Sequence, residues 1–427
     1  MIKSTPIRTV GIIGGGPSGL STAYFLRNKS LKVEVIESSS HLGGLAQSFN
    51  LWGRHIELGA HFLAYDECIP LKSMIMDLFN NHEFILYNRK THIVKEVGRL
   101  FFYPPSIKDL LHSFTKKELI EASVSYLKAK TRKNATITAK EALVKSFGDY
   151  LYHFFFHDYS LKIWGRSCSE LDPCFSESML PFRGKHHIWS TMRKKKNRVV
   201  YFEKGLNELW ERLKDECMIY DVAFRLNNGV KQFRKHGEKI NITFQDGSET
   251  SYDNVISTLP DSVNRTLFGL EKKQTYQYRD LILVYLKVNK SHLLDSQCLY
   301  IYAKDIQAAR VVDFSLFPNT SSVPNIFLLE YWTDLNGLSN ASDHTLMEIV
   351  HKDIKKLNLT FSYEDFYIKR LSKTYRIPEL GLVDKIKTEK KDLNNTIFSS
   401  IGRSNSPSFN YGMDNAIMEA YELSKTF

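Results

Sequence analysis

Apolar and polar positions follow two different periodicities at the start of this chain. Residues 8–13 form a short apolar run that enters a glycine-rich turn. From Pro17 onward, apolar side chains recur at helical spacing, and residues 32–38 then alternate and are rich in β-branched side chains. The pattern predicts a strand, a turn, a helix and a second strand within about thirty residues.

The same two periodicities distinguish helical from strand-like segments in the rest of the chain. Residues 106–114, 116–131 and 138–164 have helical periodicity, whereas 218–259 is strand-like and contains Asp246-Gly247, a strong hairpin signal. Short apolar or alternating runs continue through 280–332. The C-terminal part predicts a strand, a glycine-bearing loop and a helix from about Met413.

This order of elements predicts an α/β fold in which one domain is assembled from separated segments. Strands and helices alternate at the two ends of the chain, while a helical block and a sheet-rich block fill its middle. The predicted divisions are a discontinuous nucleotide-binding domain of 1–80, 200–265 and 385–427, a helical insertion of 81–199, and a sheet-rich substrate domain of 266–384.

Length and composition fit large buried cores. The chain has 427 residues, of which 43% are hydrophobic, and this size predicts two or three domains. No run approaches the roughly 18 consecutive apolar residues that cross a bilayer, and the N-terminal residues lack the pattern of a signal peptide. The five scattered cysteines favour free thiols in a reducing compartment. These features predict a cytoplasmic protein.

The formal net charge of +11 has several interpretations. It suits an anionic substrate or cofactor, or peripheral contact with a membrane surface, but an excess of solvated lysines gives the same value. The densest basic run, 193–198, lacks interleaved aromatic residues, so we expect no nucleic acid partner and favour a solvated surface for that run.

The turn at residues 14–19 contains the first motif that indicates ligand binding. Gly14, Gly16 and Gly19 match the G-x-G-x-x-G pattern, in which glycines permit the turn, the approach of a pyrophosphate and close helix packing. A helix N-terminus also attracts a phosphate. Glu37 ends the second strand, 18 residues beyond Gly19, where an acid accepts ribose hydroxyls. Together these residues predict a dinucleotide.

The next glycines distinguish between dinucleotides. An acid at Glu37 disfavours the 2′-phosphate of NADP. Gly43 and Gly44 follow at once, and Gly59 comes soon after, so the backbone can approach an extended ligand closely at several further points. An NAD enzyme has no need of this second approach. The pattern therefore favours FAD.

Several motifs resemble one superfamily of flavoproteins, which includes amine oxidases, protoporphyrinogen oxidase, phytoene desaturases and UDP-galactopyranose mutase. The similarity is greatest to its protoporphyrinogen-oxidase-like bacterial branch. The chain departs from the pattern at 404–409, where Pro407 replaces a glycine or an aromatic residue. The motifs that resemble the superfamily are 10–26, 33–49, 53–63, 98–105, 151–173, 201–213, 255–260 and 401–420.

The resemblance implies a Rossmann-like, GR2-type FAD-binding domain and a set of cofactor-binding residues. Glycines and an acid would hold the ADP half, and two later segments would approach the ring. The helix that begins at Met413 would direct backbone N–H groups at the flavin. The implied residues are Gly14, Gly16, Pro17, Ser18, Gly19, Glu37, Gly43, Gly44, Leu45, Gly59, Ala60, His61, Phe62, Gly402, Arg403, Tyr411, Met413 and Asp414.

Candidates for the reaction itself are His61, Arg403 and Tyr375, each with a structural alternative. His61 suits a base or a ring positioned by hydrogen bonds, and Tyr375 is either an active-site aromatic or a strand-end residue. His153 and His157 stand four residues apart on a helix, but no third ligand is evident, so we expect no metal. Arg183 and Arg279 are anion contacts by residue type only.

Two chemistries follow from the resemblance. In the first, a small-molecule substrate gives hydride to flavin N5, and an external acceptor reoxidises the flavin. In the second, reduced flavin attacks the anomeric carbon of a UDP-sugar and allows its ring to open and reclose without net redox. The sequence contains one G-x-G-x-x-G motif, so it gives no sign of a second dinucleotide domain for NAD(P)H. We favour the oxidoreductase, with the pyranose/furanose mutase as the alternative and a non-catalytic flavin-binding protein as the weakest.

Overall fold

The computed structural model describes residues 7–96, 98–131, 136–179, 198–271, 275–318, 324–333, 338–408 and 411–427. The basic run 193–197 and Arg183 lie outside these residues. The strands are β1 (Arg8–Ile13), β2 (Leu31–Ile36), β3 (Ser48–Leu51), β4 (Arg54–Glu57), β5 (Leu63–Ala64), β6 (Ile85–Asn88), β7 (Thr91–Glu96), β8 (Arg99–Phe102), β9 (Arg198–Tyr201), β10 (Ala223–Arg225), β11 (Val230–His236), β12 (Lys239–Phe244), β13 (Glu249–Tyr252), β14 (Asn254–Ser257), β15 (Tyr278–Val288), β16 (Cys298–Ile301), β17 (Arg310–Asp313), β18 (Asn325–Trp332), β19 (Tyr363–Arg376) and β20 (Phe398–Ser400).

The helices alternate with these strands. The helices are α1 (Pro17–Leu26), α2 (Ile69–Leu78), α3 (Ile107–Ser113), α4 (Lys116–Lys130), α5 (Ala139–Leu151), α6 (Asp158–Trp164), α7 (Pro173–Met179), α8 (Asn207–Ile219), α9 (Asp261–Leu267), α10 (Asp343–Lys356), α11 (Leu382–Leu393) and α12 (Met413–Ser424). Short 3₁₀ turns occur at Gly44–Ala46, Phe314–Leu316, Leu338–Asn340 and Arg403–Asn405, and a π-helical turn at Tyr152–His157.

A five-stranded parallel sheet has the order β10-β2-β1-β14-β20. Its central strands are apolar and buried, as expected of a parallel sheet covered on both faces. Helix α1 connects β1 to β2, which confirms the predicted β-turn-α-β unit. The sheet takes its strands from three separated parts of the chain, and α12 packs beside α1.

A seven-stranded sheet, with the order β19-β15-β18-β17-β16-β7-β8, forms the second large layer. Its pairings are antiparallel except for the parallel pair β16–β7. The interior of β15 and most of β18 are buried, so this sheet carries cores on both of its faces. The hairpin of β3 and β4 packs on one face, where Phe49 contacts Tyr285 edge to face.

The predicted helical block is interrupted and is not wholly helical. Gly148, at φ +83°, kinks α5, and the π-helical turn separates α5 from α6. Strands β6, β7 and β8 also lie within 81–199, and the last two join the seven-stranded sheet. The predicted hairpin at Asp246-Gly247 is confirmed between β12 and β13. The predicted domain boundaries stay a prediction.

No helix among the described residues combines the length and the apolar character needed to cross a bilayer.

Candidate functional site

The turn between β1 and α1 requires glycine at two positions. Gly14 has φ +102°, and a Cβ there would lie 2.2 Å from the hydroxyl oxygen of Thr258. A Cβ on Gly19 would lie 1.9 Å from the carbonyl oxygen of Gly14. The helix therefore packs directly onto the turn, as the sequence pattern predicts.

A second glycine segment faces this turn. Gly16 begins α1 without a side-chain cap, Pro17 follows, and the α-carbons of Gly16 and Gly44 lie on facing surfaces. A Cβ on Gly44 would be 3.4 Å from the Gly16 α-carbon, and one on Gly16 would meet nothing nearer than 4.0 Å. The absence of side chains thus lets the two backbones pack closely beside an uncapped helix N-terminus. The backbone N–H groups at this helix start suit the diphosphate of a dinucleotide.

Trp210 on α8 fixes the segment 43–46. Gly43 has φ +98°, and the Trp210 ring lies where its Cβ would point, at 2.5 Å. The indole N–H of Trp210 donates to the carbonyl of Ala46 at 2.8 Å. Leu45, between them, is exposed. The segment 43–46 is therefore fixed by α8 while its outer edge remains open to a ligand.

Glu37 joins the turn to the end of β2. One carboxylate oxygen accepts from the backbone N–H of Gly15 at 2.8 Å, and the other accepts from the N–H of Ser39 at 2.8 Å. These bonds orient the carboxylate and leave lone pairs on each oxygen. The position suits the ribose contact that the sequence predicts.

The C-terminal segment closes against the same helix start. Gly402, at φ +94°, lies beside Ser18, and its N–H donates to Glu419 at 2.9 Å. Tyr411 also donates to Glu419. Arg376 donates to the carbonyls of Ser404 and Ser406, and so shapes the loop that departs from the family pattern.

Met413 and Asp414, the first two residues of α12, make different contacts. The Met413 side chain packs in the core beneath α1, so its contribution to a ligand is limited to the backbone at the helix start. The carboxylate of Asp414 lies beside Gly412, and its carbonyl accepts from the thiol of Cys68.

The segment 57–61 is fixed by the seven-stranded sheet. The hydroxyl of Tyr285 donates to the Glu57 carbonyl at 2.9 Å and accepts from the Gly59 N–H at 3.2 Å. The N–H of Ala60 donates to Glu330 at 3.2 Å. Glu330 is fully buried on β18, and its other oxygen accepts from Arg310 on β17 at 2.7 Å.

The charges of two guanidinium groups act on His61. Its ring is half-buried, and burial together with the charges of Arg310 and Arg403 lowers its pKa to about 4. Burial also opposes the charge of Arg310, but Glu330 outweighs burial and the pKa of Arg310 is raised well above its ordinary value. At neutral pH, His61 is therefore an uncharged ring next to fixed positive charge.

The three predicted reaction residues are brought together. The guanidinium of Arg403 lies 4.3 Å from the ring centroid of Tyr375, a cation–π contact. Tyr375 stacks on Trp332 at 4.1 Å, and Trp164 meets Trp332 edge to face. Arg403 thus contacts an aromatic stack, and its charge also acts on His61.

Further aromatic and cationic side chains enclose the space beyond His61. Tyr103 and Tyr300 pack at 4.6 Å, and Arg89 lies over the ring of Phe62. Tyr103 and Tyr300 keep accessible surface although burial raises the pKa of both phenols. Because these rings are surrounded by protein and still keep accessible surface, we infer that they line an internal chamber.

The sequence did not identify several of these residues. Arg89, Tyr103, Tyr300, Arg310, Glu330 and Trp332 come from five different strands or their ends, and no local motif joins them. Arg279, proposed as an anion contact, is buried, and one terminal nitrogen donates to the carbonyls of Lys162 and Trp332. Its contact with an anion stays a prediction. His157 bonds to Asp158, beside His153 on the π-helical turn.

Glu57 gives a prediction about stability. Burial raises the pKa of its carboxyl from 4.5 to about 7, against an opposing effect of Arg54. Between these values Glu57 holds more protons in the folded chain than in the unfolded chain, so its contribution to stability falls as pH rises from about 4.5 to about 7, by up to roughly 3 kcal/mol. The lowered pKa of His61 contributes the opposite slope over much of this range. Glu57→Gln is expected to remove the Glu57 contribution, so the slope of stability against pH in urea unfolding should become more positive than in the unaltered chain. An unchanged slope would contradict the assignment.

The chain matches the model of a protein family described as flavin containing amine oxidoreductase over residues 17–366. Coproporphyrinogen III oxidase of Staphylococcus aureus is 23% identical to it, and the alignment covers 89% of this chain and 90% of that protein.

Solved structures share the whole fold at low sequence identity. A structure of reduced UDP-galactopyranose mutase is 18% identical, with a TM-score of 0.80 over 98% of this chain and 95% of that chain. Cyclohexylamine oxidase of Brevibacterium oxydans is 13% identical, with a TM-score of 0.70 over 99% and 98%. These similarities confirm the predicted α/β flavoprotein fold.

Proposed function

The chain belongs to the family of flavin-containing amine oxidoreductases, and on that premise we propose that this FAD-dependent enzyme oxidises a small anionic molecule. The bound flavin supplies the acceptor, at N5, for the hydride that leaves the substrate. The chain itself would hold the FAD diphosphate at the start of α1, where the Gly16 and Gly44 segments meet, with the ring beside 59–62 and 402–403.

The observation that carries the proposal is positive charge in an enclosed, aromatic chamber. Arg310 is neutralised by Glu330, but neither Arg89 nor Arg403 forms an ion pair within the described part of the chain. Guanidinium groups bind carboxylates and phosphates in two-point geometry, and do so most strongly away from bulk water. An anion bound there would be fixed against the aromatic rings.

Each reaction candidate has a proposed part in this arrangement. His61, uncharged at neutral pH, can accept a hydrogen bond but does not add a third positive charge. Arg403 would interact with negative charge on the substrate or the reduced flavin, and Tyr375 would hold its guanidinium in place. With a pKa of about 4, His61 is a weak base at neutral pH, so we assign it orientation instead of proton abstraction.

Arg89→Met tests the anion site. We expect this variant to weaken binding of an anionic ligand by about 10- to 100-fold, because it removes a charged contact in the chamber while keeping side-chain volume. Ligand binding is followed by the change in flavin absorption, with coproporphyrinogen III and UDP-galactose as probes. The matched control is Arg234→Met, which alters an exposed arginine on β11. Equal affinities for both variants would contradict the proposal.

A second candidate is a non-redox mutase that acts on a UDP-sugar with reduced FAD. It is favoured by the presence of two guanidinium groups, Arg89 and Arg403, that a diphosphate can use, and by the shared fold with UDP-galactopyranose mutase. The test is incubation of UDP-galactose with oxidised and with dithionite-reduced protein. A ring-contracted product formed only by the reduced protein would establish this candidate in place of the first.

Two further expectations remain proposals. We propose a cytoplasmic location, which is supported by five buried cysteines that form no disulfide among the described residues. An external acceptor must reoxidise the flavin in the oxidase reaction. Contact with a membrane surface is also a proposal, and net charge alone does not say where on the molecule it would occur.

A further inference from the structure

Exposed apolar side chains are concentrated in one stretch of the chain. Nine of the 23 large hydrophobic residues that are exposed among the described residues lie between positions 100 and 137. We use the name α3–α4 face for the surface formed by β8, α3 and α4. Its exposed apolar residues are Leu100, Phe102, Ile107, Leu111, Ile120, Val124, Tyr126 and Leu127.

The face belongs to a well-formed unit. Arg99 on β8 donates to the Ser113 carbonyl and to Glu118, which joins the strand to the turn between the two helices. Ser106 and Thr115 begin α3 and α4 with capping boxes. The exposed residues therefore occupy fixed positions on regular helices.

The spacing on α4 separates two sides of the helix. Ala122 and Ala129 are buried against the protein, whereas Ile120, Val124 and Leu127 follow one another at i, i+4 and i+7 on a side that remains exposed. The exposed fractions of Ile120 and Leu127 are 64% and 65%. The apolar stripe therefore exceeds what packing of this helix onto α5 requires.

Lysines outnumber acids on the two helices that carry the stripe. Asp109 and Glu118 serve the capping boxes and Glu121 lies near Lys117. Lys130 donates to the Lys145 carbonyl, whereas Lys108, Lys116 and Lys128 have no acidic partner among the described residues, so the two helices carry an excess of positive charge. The exposed lysines of the two helices are Lys108, Lys116, Lys117, Lys128 and Lys130.

We propose that the α3–α4 face docks on the surface of an anionic lipid bilayer. Apolar side chains on a helix that also carries lysines lie in the interface plane, where the apolar side enters the acyl boundary and the lysines meet negative headgroups. A protein partner would need a matching acidic surface, whereas a bilayer supplies negative charge in every orientation. This docking is independent of the proposed reaction.

Flotation of the purified holoprotein with vesicles tests the proposal. Vesicles of phosphatidylcholine alone are compared with vesicles that also contain phosphatidylglycerol. We expect binding to the mixed vesicles that weakens at high salt. Ile120→Glu/Leu127→Glu is expected to reduce this binding at least about tenfold, and Lys116→Gln/Lys128→Gln to remove most of its dependence on phosphatidylglycerol.

The matched control is Met218→Glu/Ile219→Glu, which places the same charges on two exposed apolar residues at the end of α8. This control should bind vesicles as the unaltered protein does, and all variants should keep their bound flavin. Equal binding by the α4 and α8 variants would overturn the proposal. Failure of the unaltered protein to bind mixed vesicles would also overturn it. In that case, a dimer of the unaltered protein that the α4 variant abolishes would identify a second copy of the chain as the partner of this face.

Discussion

Gly16→Val is expected to abolish FAD binding and to leave the protein folded. Gly16 has φ −80°, which any residue adopts, and a Cβ there meets no protein atom nearer than 4.0 Å. The side chain would instead extend into the space at the start of α1 that we assign to the diphosphate. A close-packed site cannot relieve that overlap, so we expect FAD affinity to fall by at least about 100-fold.

The series Gly16→Ala and Gly16→Val should show a graded loss of flavin, measured by absorption after reconstitution. Thermal unfolding of the flavin-free forms provides the control, and the variants should stay within about 1 kcal/mol of the unaltered chain. Gly19→Ala should behave differently, since its Cβ would lie 1.9 Å from a backbone oxygen and would disturb the fold itself. Normal flavin content in Gly16→Val would show that FAD lies elsewhere.

Glu330→Gln is expected to be the most destabilising change in the chamber. Glu330 is fully buried and receives both the Nε and a terminal nitrogen of Arg310, at 2.9 and 2.7 Å. Glutamine can still accept from Ala60, but it leaves the guanidinium without its counter-charge. Removing one member of a buried ion pair costs about 3–5 kcal/mol.

A double-mutant cycle separates this pair from general damage. Arg310→Met/Glu330→Gln should recover part of the stability lost in Glu330→Gln, because the buried charge has been removed together with its partner. Urea unfolding of the four proteins at constant flavin saturation measures the coupling. If the two single changes add without coupling, Glu330 does not neutralise Arg310.

Local patterns account for what could be predicted. Gly14, Gly16, Gly19 and Glu37 lie within one β-turn-α-β unit, where spacing along the chain determines spacing in the fold. The helix from Met413 is confirmed because its periodicity is also local. By contrast, the segment 333–374, which contains α10 and most of β19, received no assignment, and the 138–164 helix prediction missed the kink at Gly148.

The chamber depends on pairing between distant strands. Arg310 and Glu330 face each other because β17 and β18 are antiparallel neighbours, and residues 310 and 330 are direct partners in the register. One signal was present in the sequence: Glu330 interrupts the apolar run of β18, and a buried acid needs a partner. Nothing local identifies Arg310 as that partner. Residue type alone instead suggested Arg279, one nitrogen of which donates to two carbonyls.

The central claim is that a substrate anion is oxidised by the flavin in this chamber. The most direct measurement is anaerobic mixing of oxidised holoprotein with coproporphyrinogen III or UDP-galactose, with flavin absorption and product recorded together. We predict loss of the oxidised flavin band with one equivalent of two-electron-oxidised product per flavin. Product formed only after prior reduction of the flavin, with no net electron transfer, would contradict the claim.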